Sequence, residues 1–396
     1  MAARWEIGTM PDQHKPTGIG HRLVRLYQII AVIVLNTLAL VVVIEVGAGI
    51  ILRASNPEEA PIAERVEQFK QKQLSLSYYQ AQDWSSAYWD EHMVVADHWD
   101  YQPYIEWHTH PVQGEYINID ENGIRHTPGS ECGADSYRIF MFGGSTMWGY
   151  GAPDWGTIPA YVQAGVSGDV CVVNYADVGF NSTQGLIRLI GELQRGNVPD
   201  MVIFYDGANE VTTAYTSGQP GAHFYQNQFE DAIQGDLDFG APQGQSPLLD
   251  LLRQTNTYRL LGSAPQDAHE PVFPPYSEDF VSAIAEVYLT NINAAALLAE
   301  DYEFDFLAFW QPLLVLNEEA VTDEEQRFLW EMPGGLPDLF KLVYPHIQAA
   351  EHIHNLTHVL DTHEGSVWID FNHLSPLGNE RVAAEMLRVM EPYLDN

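Results

Sequence analysis

A serine, an aspartate and a histidine have the types and spacing needed for nucleophilic catalysis. Ser145 follows Gly143-Gly144, and Asp370 precedes His373 by three residues. A serine hydroxyl is a weak nucleophile unless a base takes its proton. The His373 imidazole can be that base, because the ordinary pKa of histidine lies near operating pH. Asp370 can hold the imidazole in the required tautomer and stabilise its charged form.

Two further segments carry hydrogen-bond donors suited to an oxyanion. Gly179 ends the segment Asn174-Tyr-Ala-Asp-Val-Gly179, and Asn209 lies in Gly207-Ala-Asn209-Glu210. The backbone N–H groups of Ser145 and Gly179 and the Asn209 amide can point at the charge that develops on an attacked acyl carbonyl. The pattern requires no metal ion or cofactor, and no Cys/His zinc spacing is present.

Each segment follows a short apolar run that is typical of a strand. The runs are Tyr137–Phe142, Val170–Val173, Met201–Tyr205 and, before Asp370, Val367–Ile369. Asp305–Trp310 predicts one more strand, which makes Val367–Ile369 the fifth. Helices are predicted between them, at Thr157–Gly165, Ser182–Arg195, Phe280–Glu300, Glu324–Trp330, Leu336–His354 and Pro376–Tyr393. Because ligands bind at the carboxyl ends of strands in open α/β sheets, we expect the polar segments to converge on one crevice.

These blocks resemble those of the SGNH (GDSL-type) hydrolase family, which carry Ser, Gly, Asn and His in this order. The resemblance covers roughly Arg138 to the C-terminus. The first block departs from it by reading Gly-Gly-Ser-Thr instead of Gly-Asp-Ser, and the third has Glu210 where Asp is common. The resemblance implies a flavodoxin-like three-layer α/β/α fold and ester hydrolysis or acyl transfer. It also implies Ser145, Asp370 and His373 as catalytic residues, with Ser145, Gly179 and Asn209 as the oxyanion hole.

An apolar stretch near the N-terminus predicts a membrane anchor. Residues 27–52 are long enough to span a bilayer with some tilt, and too long for the apolar region of a signal peptide. The small residues between Ala48 and Ala54 leave cleavage as the alternative. Positive charges precede the stretch and an acidic segment follows it, so we expect a cytoplasmic N-terminus and an extracytoplasmic (periplasmic or cell-surface) hydrolase domain. Glu45 within the stretch lies near the outer interface or forms a pairing site for another membrane protein.

The charge of the chain is strongly negative. It has 18 Lys and Arg against 54 Asp and Glu, a formal net charge of −36. Such a surface repels nucleic acid, which excludes that class of partner. Excess acidic residues with few lysines are typical of proteins from salt-rich environments, where screening reduces self-repulsion, so we expect a halophilic source. The alternative is an acidic extracytoplasmic domain without a salt-rich source.

We divide the chain into a cytoplasmic tail (1–23), a transmembrane helix (24–53), an extracytoplasmic linker with an aromatic-rich appendage (54–135) and a hydrolase domain (136–396). The hydrolase domain contains a lid-like insertion at about 211–278. In the appendage, residues 114–125 predict a hairpin. Its aromatic side chains either pack the appendage onto the domain or form a carbohydrate-binding face, and packing is favoured. They are Tyr78, Tyr79, Trp84, Tyr88, Trp89, Trp99, Tyr101, Tyr104 and Trp107.

Cysteines and histidines leave two local questions. Cys132 and Cys171 are expected at the edge of the sheet away from the site, either joined in a disulfide or as two unpaired thiols. His354 and His358, four residues apart on a predicted helix, share a face, but no Glu lies between them in a His-Glu-x-x-His pattern. A solvated helix face is favoured over a metal site there.

The pattern as a whole predicts a membrane-anchored serine esterase that removes short acyl groups, such as acetyl, from a cell-surface glycan or another ester. An O-acyltransferase with the same residues is one alternative. A non-catalytic accessory subunit of a membrane complex is the other.

Overall fold

The computed structural model describes residues 19–55, 62–95, 98–230, 255–257, 271–317, 321–347 and 352–394. The chain divides into two compact units, one of residues 1–60 with 240–268, the other of residues 61–239 with 269–396. The N-terminal elements are α1 (Ile19–Ser55), α2 (Ile62–Leu74), α3 (Ser77–Gln80), α4 (Ser85–Val95), β1 (Trp99–Gln102), β2 (Glu106–Thr109), β3 (Val112–Gln113) and β4 (Asn118–Ile119). The remaining elements are β5 (Tyr137–Gly143), α5 (Ser145–Trp148), α6 (Ile158–Gly165), β6 (Val170–Asn174), α7 (Ser182–Gln194), β7 (Met201–Asp206), α8 (Ala208–Ser217), α9 (Glu278–Tyr302), β8 (Asp305–Trp310), α10 (Asp323–Glu331), α11 (Leu336–Ile347), β9 (Ile353–Asn355) and α12 (Pro376–Leu394).

Five parallel strands in the order β6-β5-β7-β8-β9 form the central sheet of the larger unit. The order is the doubly wound 2-1-3-4-5 arrangement, whose switch point lies between the first and third strands. Here these strands are β5 and β7, and Ser145 and Asn209 follow them directly. The predicted convergence at one edge therefore has a topological basis.

Alternate side chains of the strands divide the core into two layers. Ile139 and Met141 of β5 face an apolar cluster that includes α6 and α12. Phe140 and Phe142 face a second cluster, which includes α7, α9 and α11. Burial on both faces explains why these strands are continuous apolar runs without alternation.

The fifth strand is not the one that the sequence predicted. Residues 353–355 pair with β8, whereas Val367–Ile369 form no strand of the sheet. Instead, Trp368 bridges Leu374 across a tight reversal of the chain, in which the Ile369 amide donates to the His373 carbonyl at 3.1 Å. The prediction was wrong because an apolar triplet can be buried equally well in a loop, and because Ile353–Asn355 has weak strand character.

Helix α1 is confirmed as a long apolar helix, and its large side chains are exposed along its length, with Leu35 at 65% and Val43 at 66%. Among the described residues, α1 and α9 are long and apolar enough to cross a membrane. Helix α9, however, buries Ile284, Tyr288 and other side chains in the core. It is therefore accounted for as a core helix.

Glu45 of α1 bonds to another part of the same unit. Its carboxylate accepts hydrogen bonds from the backbone N–H groups of Asn256 and Thr257 and, at 2.8 Å, from the Thr257 hydroxyl. Within the described part of the chain, Glu45 is thus satisfied by the protein itself. A separate membrane protein at this position stays a prediction.

The aromatic-rich segment packs into the same unit as the sheet, so the structure shows no boundary at residue 135. Tyr79, Tyr88 and Trp89 are buried in the cluster that covers one face of the sheet. The packing hypothesis is confirmed for these rings. The hairpin predicted at 114–125 is present in shorter form, with Ile119 opposite Arg125 and β4 paired to β3.

The two cysteines form a disulfide between Cys132 and Cys171, with Cα atoms 5.1 Å apart. Cys171 lies opposite Arg138, at the beginning of β5 and β6. The bond therefore closes the edge of the sheet that is remote from Ser145, as expected.

The sequence predicts a lid-like insertion at about 211–278, and the structure shows that this range starts too early. Residues 211–217 belong to α8, whose Val211, Ala214 and Tyr215 are buried. Residues 231–254 and 258–270 lie outside the described part of the chain.

Candidate active site

Ser145 is placed at a sharp turn from β5 into the single-turn helix α5. Its side chain is almost buried, and Oγ lies 2.7 Å from Nε2 of His373. The preceding Gly144 has no room for a side chain, because a Cβ there would lie 2.7 Å from the Phe180 carbonyl oxygen and closer still to Nδ2 of Asn209. Glycine at 144 therefore lets the nucleophile, the Gly179 loop and Asn209 meet.

Asp370 and His373 form the second part of the same hydrogen-bonded chain. Oδ2 of Asp370 lies 2.6 Å from Nδ1 of His373, and its Oδ1 accepts from the backbone N–H groups of Asn372 and His373 at 2.9 and 2.7 Å. Burial alone would raise the pKa of Asp370, but the imidazole and these amides outweigh it and keep that pKa below its ordinary value. An ionised Asp370 accepts a hydrogen bond from Nδ1–H of His373, which leaves the Nε2 lone pair directed at the Ser145 hydroxyl.

The three predicted oxyanion donors also lie together. Gly179 has a φ of +79°, a conformation that favours glycine, and its N–H is not engaged by any acceptor in the described residues; neither is that of Ser145. One N–H of the Asn209 amide donates to the Phe180 carbonyl at 2.7 Å. Its second N–H remains for an oxyanion.

A buried carboxylate holds the second and third blocks together. Glu210 accepts from the backbone N–H of Ser182 at 2.7 Å and from that of Gly207 at 2.9 Å. It thereby links the start of α7 to the turn that presents Asn209. Burial raises the pKa of Glu210, and these hydrogen bonds reverse only part of that rise.

Asp206 lies beside Glu210 and is the less satisfied of the two. Its Oδ2 is buried without a hydrogen-bond partner among the described residues. Burial, and then the nearby Glu210 charge, hold the pKa of Asp206 well above its ordinary value. The folded protein therefore retains this proton to a higher pH than the unfolded chain does.

This raised pKa predicts a pH-dependent effect of Asp206→Asn. Between about pH 4, the ordinary value of an aspartate, and the raised folded pKa, native stability falls as pH rises, because the folded state binds more protons. Asparagine does not titrate, so the melting temperature of the variant relative to the native protein should increase from pH 5 to pH 8. The control is Asp301→Asn, which changes an exposed aspartate. A difference that is constant with pH would contradict the expectation.

The N-terminal strands support the Gly179 loop. Nε1 of Trp107 donates to the Val178 carbonyl at 3.0 Å, and the Thr109 backbone N–H donates to Asp177 at 2.9 Å. Asp177 is fully buried, and burial raises its pKa despite the attraction of Arg188. Strand β2 therefore fixes the residues that lead to Gly179.

Aromatic rings fix the other side of the site. The Tyr150 ring lies against His373, with centroids 4.3 Å apart, and buried His92 packs edge-on behind Tyr150 at 4.7 Å. Burial lowers the pKa of His92 to about 3, so it is neutral at ordinary pH. The Tyr79 hydroxyl donates to the Gly151 carbonyl. Helices α3 and α4 thus limit the movement of the loop on which Tyr150 lies.

Arg125 binds the backbone just after the nucleophile. Its guanidinium is fully buried, donates to Asp154 Oδ1 at 2.9 Å and lies over the Trp148 ring. It also donates to the carbonyls of Trp148, Gly149 and Ala152 at 3.1, 2.9 and 2.6 Å. One side chain thus satisfies the end of α5 and the loop that follows it.

Replacing Arg125 by methionine is expected to lower the free energy of unfolding by about 3–5 kcal/mol, because Asp154 would remain buried as an unpaired charge. The control Arg388→Met removes an ion pair with Glu385 in which the arginine side chain is 68% exposed, and it should have a much smaller effect, because exposed ion pairs contribute little to stability. Urea denaturation of both variants measures the difference. Equal losses in the two variants would argue against a structural role for the buried pair.

The predicted helical face of His354 and His358 does not exist. His354 lies in β9 with its ring against Phe309, and His358 follows the strand, with Nδ1 2.9 Å from Asp361. In the described residues, no three His, Cys, Asp or Glu side chains are grouped so that they could hold a metal ion.

Sequence reasoning missed several residues that support the site: Arg125, Asp177, Tyr150, Trp107 and the bridging role of Glu210. Arg125 lies shortly before the strand that leads to Ser145, and no sequence motif marks it as a buried residue. Glu210 alone offered a signal, since it follows Asn209 in the third block.

No protein-family model matches the chain, and no curated protein matches it. Similar solved structures include a carbohydrate acetylesterase family member from Sinorhizobium meliloti, at 13% identity and a TM-score of 0.34, covering 65% of this chain and 98% of that one. The acetyl xylan esterase AlAXEase matches at 12% identity and a TM-score of 0.36, covering 64% and 98%. A lipolytic protein of the G-D-S-L family from Veillonella parvula matches at 13% identity and 0.35, with the same coverage. Because these TM-scores are below 0.5, the similarities carry no argument here, and the proposed function depends on the sequence and on the geometry of the site.

Proposed function

We propose that the protein is an SGNH-type serine ester hydrolase that removes short acyl groups, such as acetyl, from a cell-surface glycan. The observation that carries the proposal is the continuous chain from Ser145 Oγ to His373 Nε2 at 2.7 Å and from His373 Nδ1 to Asp370 at 2.6 Å. These distances suit proton transfer without rearrangement.

The reaction would proceed in two steps. Ser145 Oγ attacks the acyl carbonyl while His373 takes its proton, and the N–H groups of Ser145, Gly179 and Asn209 stabilise the oxyanion. Collapse of this intermediate breaks the ester bond, and His373 returns the proton to the leaving alcohol. Water then attacks the acyl-enzyme with His373 again as base, and the carboxylic acid leaves as Ser145 recovers its proton.

We place this domain outside the cytoplasm, anchored by residues 27–52. Three observations support the proposal: the exposed apolar surface of α1, the excess of Arg and Lys before it, and the disulfide, which persists in oxidising compartments.

A membrane-impermeant fluorophosphonate dye tests activity and location together, because it labels only an activated serine. The full-length protein should be labelled on intact cells, and Ser145→Ala should not. Labelling only after lysis would contradict the location and leave the esterase function standing. No labelling in either condition would contradict the esterase function and favour the accessory subunit.

We also propose that the source is salt-rich. With a net charge of −36, self-repulsion should destabilise the protein at low ionic strength. Raising sodium chloride from 20 mM to 2 M should therefore increase the melting temperature by about 5 °C or more. An uncharged osmolyte, sorbitol, is the control for non-ionic effects. A flat or falling response to salt would contradict the halophilic assignment.

A further inference from the structure

We propose that an aromatic face beside the Gly179 loop binds a sugar ring of a neutral acylated glycan. The aromatic face consists of Trp99, Tyr101, Trp107, Phe224 and Tyr225. This inference rests on the proposed ester hydrolysis at Ser145, and it adds the surface that binds the sugar and the restriction to neutral glycans.

The register of the β1–β2 hairpin directs one side of it towards the site. Tyr101 pairs with Trp107, and Trp99 pairs with Thr109. Side chains of opposed residues lie on the same face of an antiparallel pair, so these four share a face. Because the Trp107 indole and the Thr109 hydroxyl donate to Val178 and Asp177 in the loop before Gly179, this face of the hairpin is the one directed at that loop.

The aromatic face begins within contact distance of an oxyanion donor. A Cβ at Gly179 would lie 3.3 Å from Cζ2 of Trp107 and 3.3 Å from Cβ of Phe224. Tyr225 joins the two segments, with ring centroids 5.1 Å from Trp107 and 5.2 Å from Trp99. A substrate whose acyl group reaches Ser145 thus has rings beside it for its alcohol portion.

The outer rings are open to solvent although they are large and apolar. Phe224 is 43% exposed, Trp99 37% and Tyr101 73%. The hairpin turn is nonetheless held in place: Tyr104 and Glu106 have φ values of 73° and 68°, which are costly for residues other than glycine. Gln184 of α7 donates to the Ile105 carbonyl and to the Glu106 carboxylate, both at 3.1 Å. Strained backbone that is fixed in this way is characteristic of binding sites.

The chemistry of the aromatic face favours a sugar over a lipid. Its exposed members are rings and not aliphatic chains, and Tyr101 offers a phenolic hydroxyl as well as a flat surface. A pyranose presents C–H groups to such a surface and hydroxyls to polar neighbours. The net charge of −36 disfavours anionic polymers, which leaves neutral glycans.

Binding is tested separately from catalysis, by titrating xylotetraose into the full-length Ser145→Ala protein in a calorimeter. Saturable binding is expected, weakened about tenfold by Trp99→Ala and by Tyr101→Ala, as suits the loss of one aromatic contact. Trp330→Ala, which removes a tryptophan 77% exposed on α10, is the matched control and should bind as before. No binding, or equal weakening by all three substitutions, would overturn the proposal.

Steady-state kinetics of the protein that retains Ser145 provide the second measurement. For acetylated xylotetraose, Trp99→Ala should raise KM about tenfold with little change in kcat, because the contact is the same in the ground and transition states. For 4-nitrophenyl acetate, which is too small to reach the outer rings, kcat/KM should stay within about twofold. A parallel loss on both substrates would mean that Trp99 only supports the Gly179 loop, and would overturn the inference. If the sugar binds but no ester is hydrolysed, sugar binding by the aromatic face is supported and the proposed esterase function is contradicted. If esters are hydrolysed but the sugar does not bind, only the proposed role of the aromatic face is contradicted.

Discussion

Ser145→Ala is expected to reduce kcat for ester hydrolysis by about 10⁴-fold or more, and His373→Ala by a similar factor. The two side chains are 2.7 Å apart and act as one unit, since the hydroxyl attacks only as the imidazole takes its proton. The double variant should therefore be little worse than either single variant. Initial rates with 4-nitrophenyl acetate measure all three proteins.

Ser167→Ala, which changes an exposed serine in the loop after α6, is the matched control and should retain full activity. Each variant should also keep the native melting temperature within a few degrees, which shows that a decrease in rate is not caused by unfolding. Ser145→Ala that keeps more than about 1% of the rate would show that another group is the nucleophile.

Asn209→Ala should lower kcat by about 10²- to 10³-fold with little change in KM, because an oxyanion donor acts mainly in the transition state. The loss is smaller than for Ser145 since the backbone N–H groups of Ser145 and Gly179 remain. The hydroxyl–imidazole pair is also intact, so a fluorophosphonate should still label this variant, only more slowly.

Asn293→Ala is the control for Asn209, because Asn293 is an exposed asparagine in another helix, α9. The Asn209 amide also binds the Phe180 carbonyl at 2.7 Å, so its replacement could displace the Gly179 loop. Such displacement would raise KM as well as lower kcat. A tenfold or greater rise in KM would therefore contradict the oxyanion role and indicate a structural one.

Local sequence was sufficient for most strands and helices that carry the site. Strand β8 and the beginnings of β5, β6 and β7 lie where the apolar runs predict them. The Asp370–His373 turn is similarly local, because a carboxylate two and three residues before two backbone N–H groups can bond to them without help from the rest of the chain.

Other features depend on partners that are distant in the chain. Arg125 and Asp154 become a pair only when the loop after α5 folds back, and the sequence assigned neither a role. The two cysteines are 39 residues apart, and only the register of β5 and β6 decides that they bond. Strand β9 is another example, because three residues of weak strand propensity become a strand only where β8 offers free hydrogen-bonding groups.

The aromatic segment shows the same division within one stretch of sequence. The sequence alone determined that the segment is rich in aromatic rings, which favours packing onto a domain. It also determined that Ser145, Gly179, Asn209, Asp370 and His373 follow one another in an order that suits one crevice. Only the tertiary structure decided that Tyr88 and Trp89 are buried while Tyr101 is open beside the site. The physical reason is that burial of an aromatic ring depends on which surface the fold places over it, and composition carries no information about that surface.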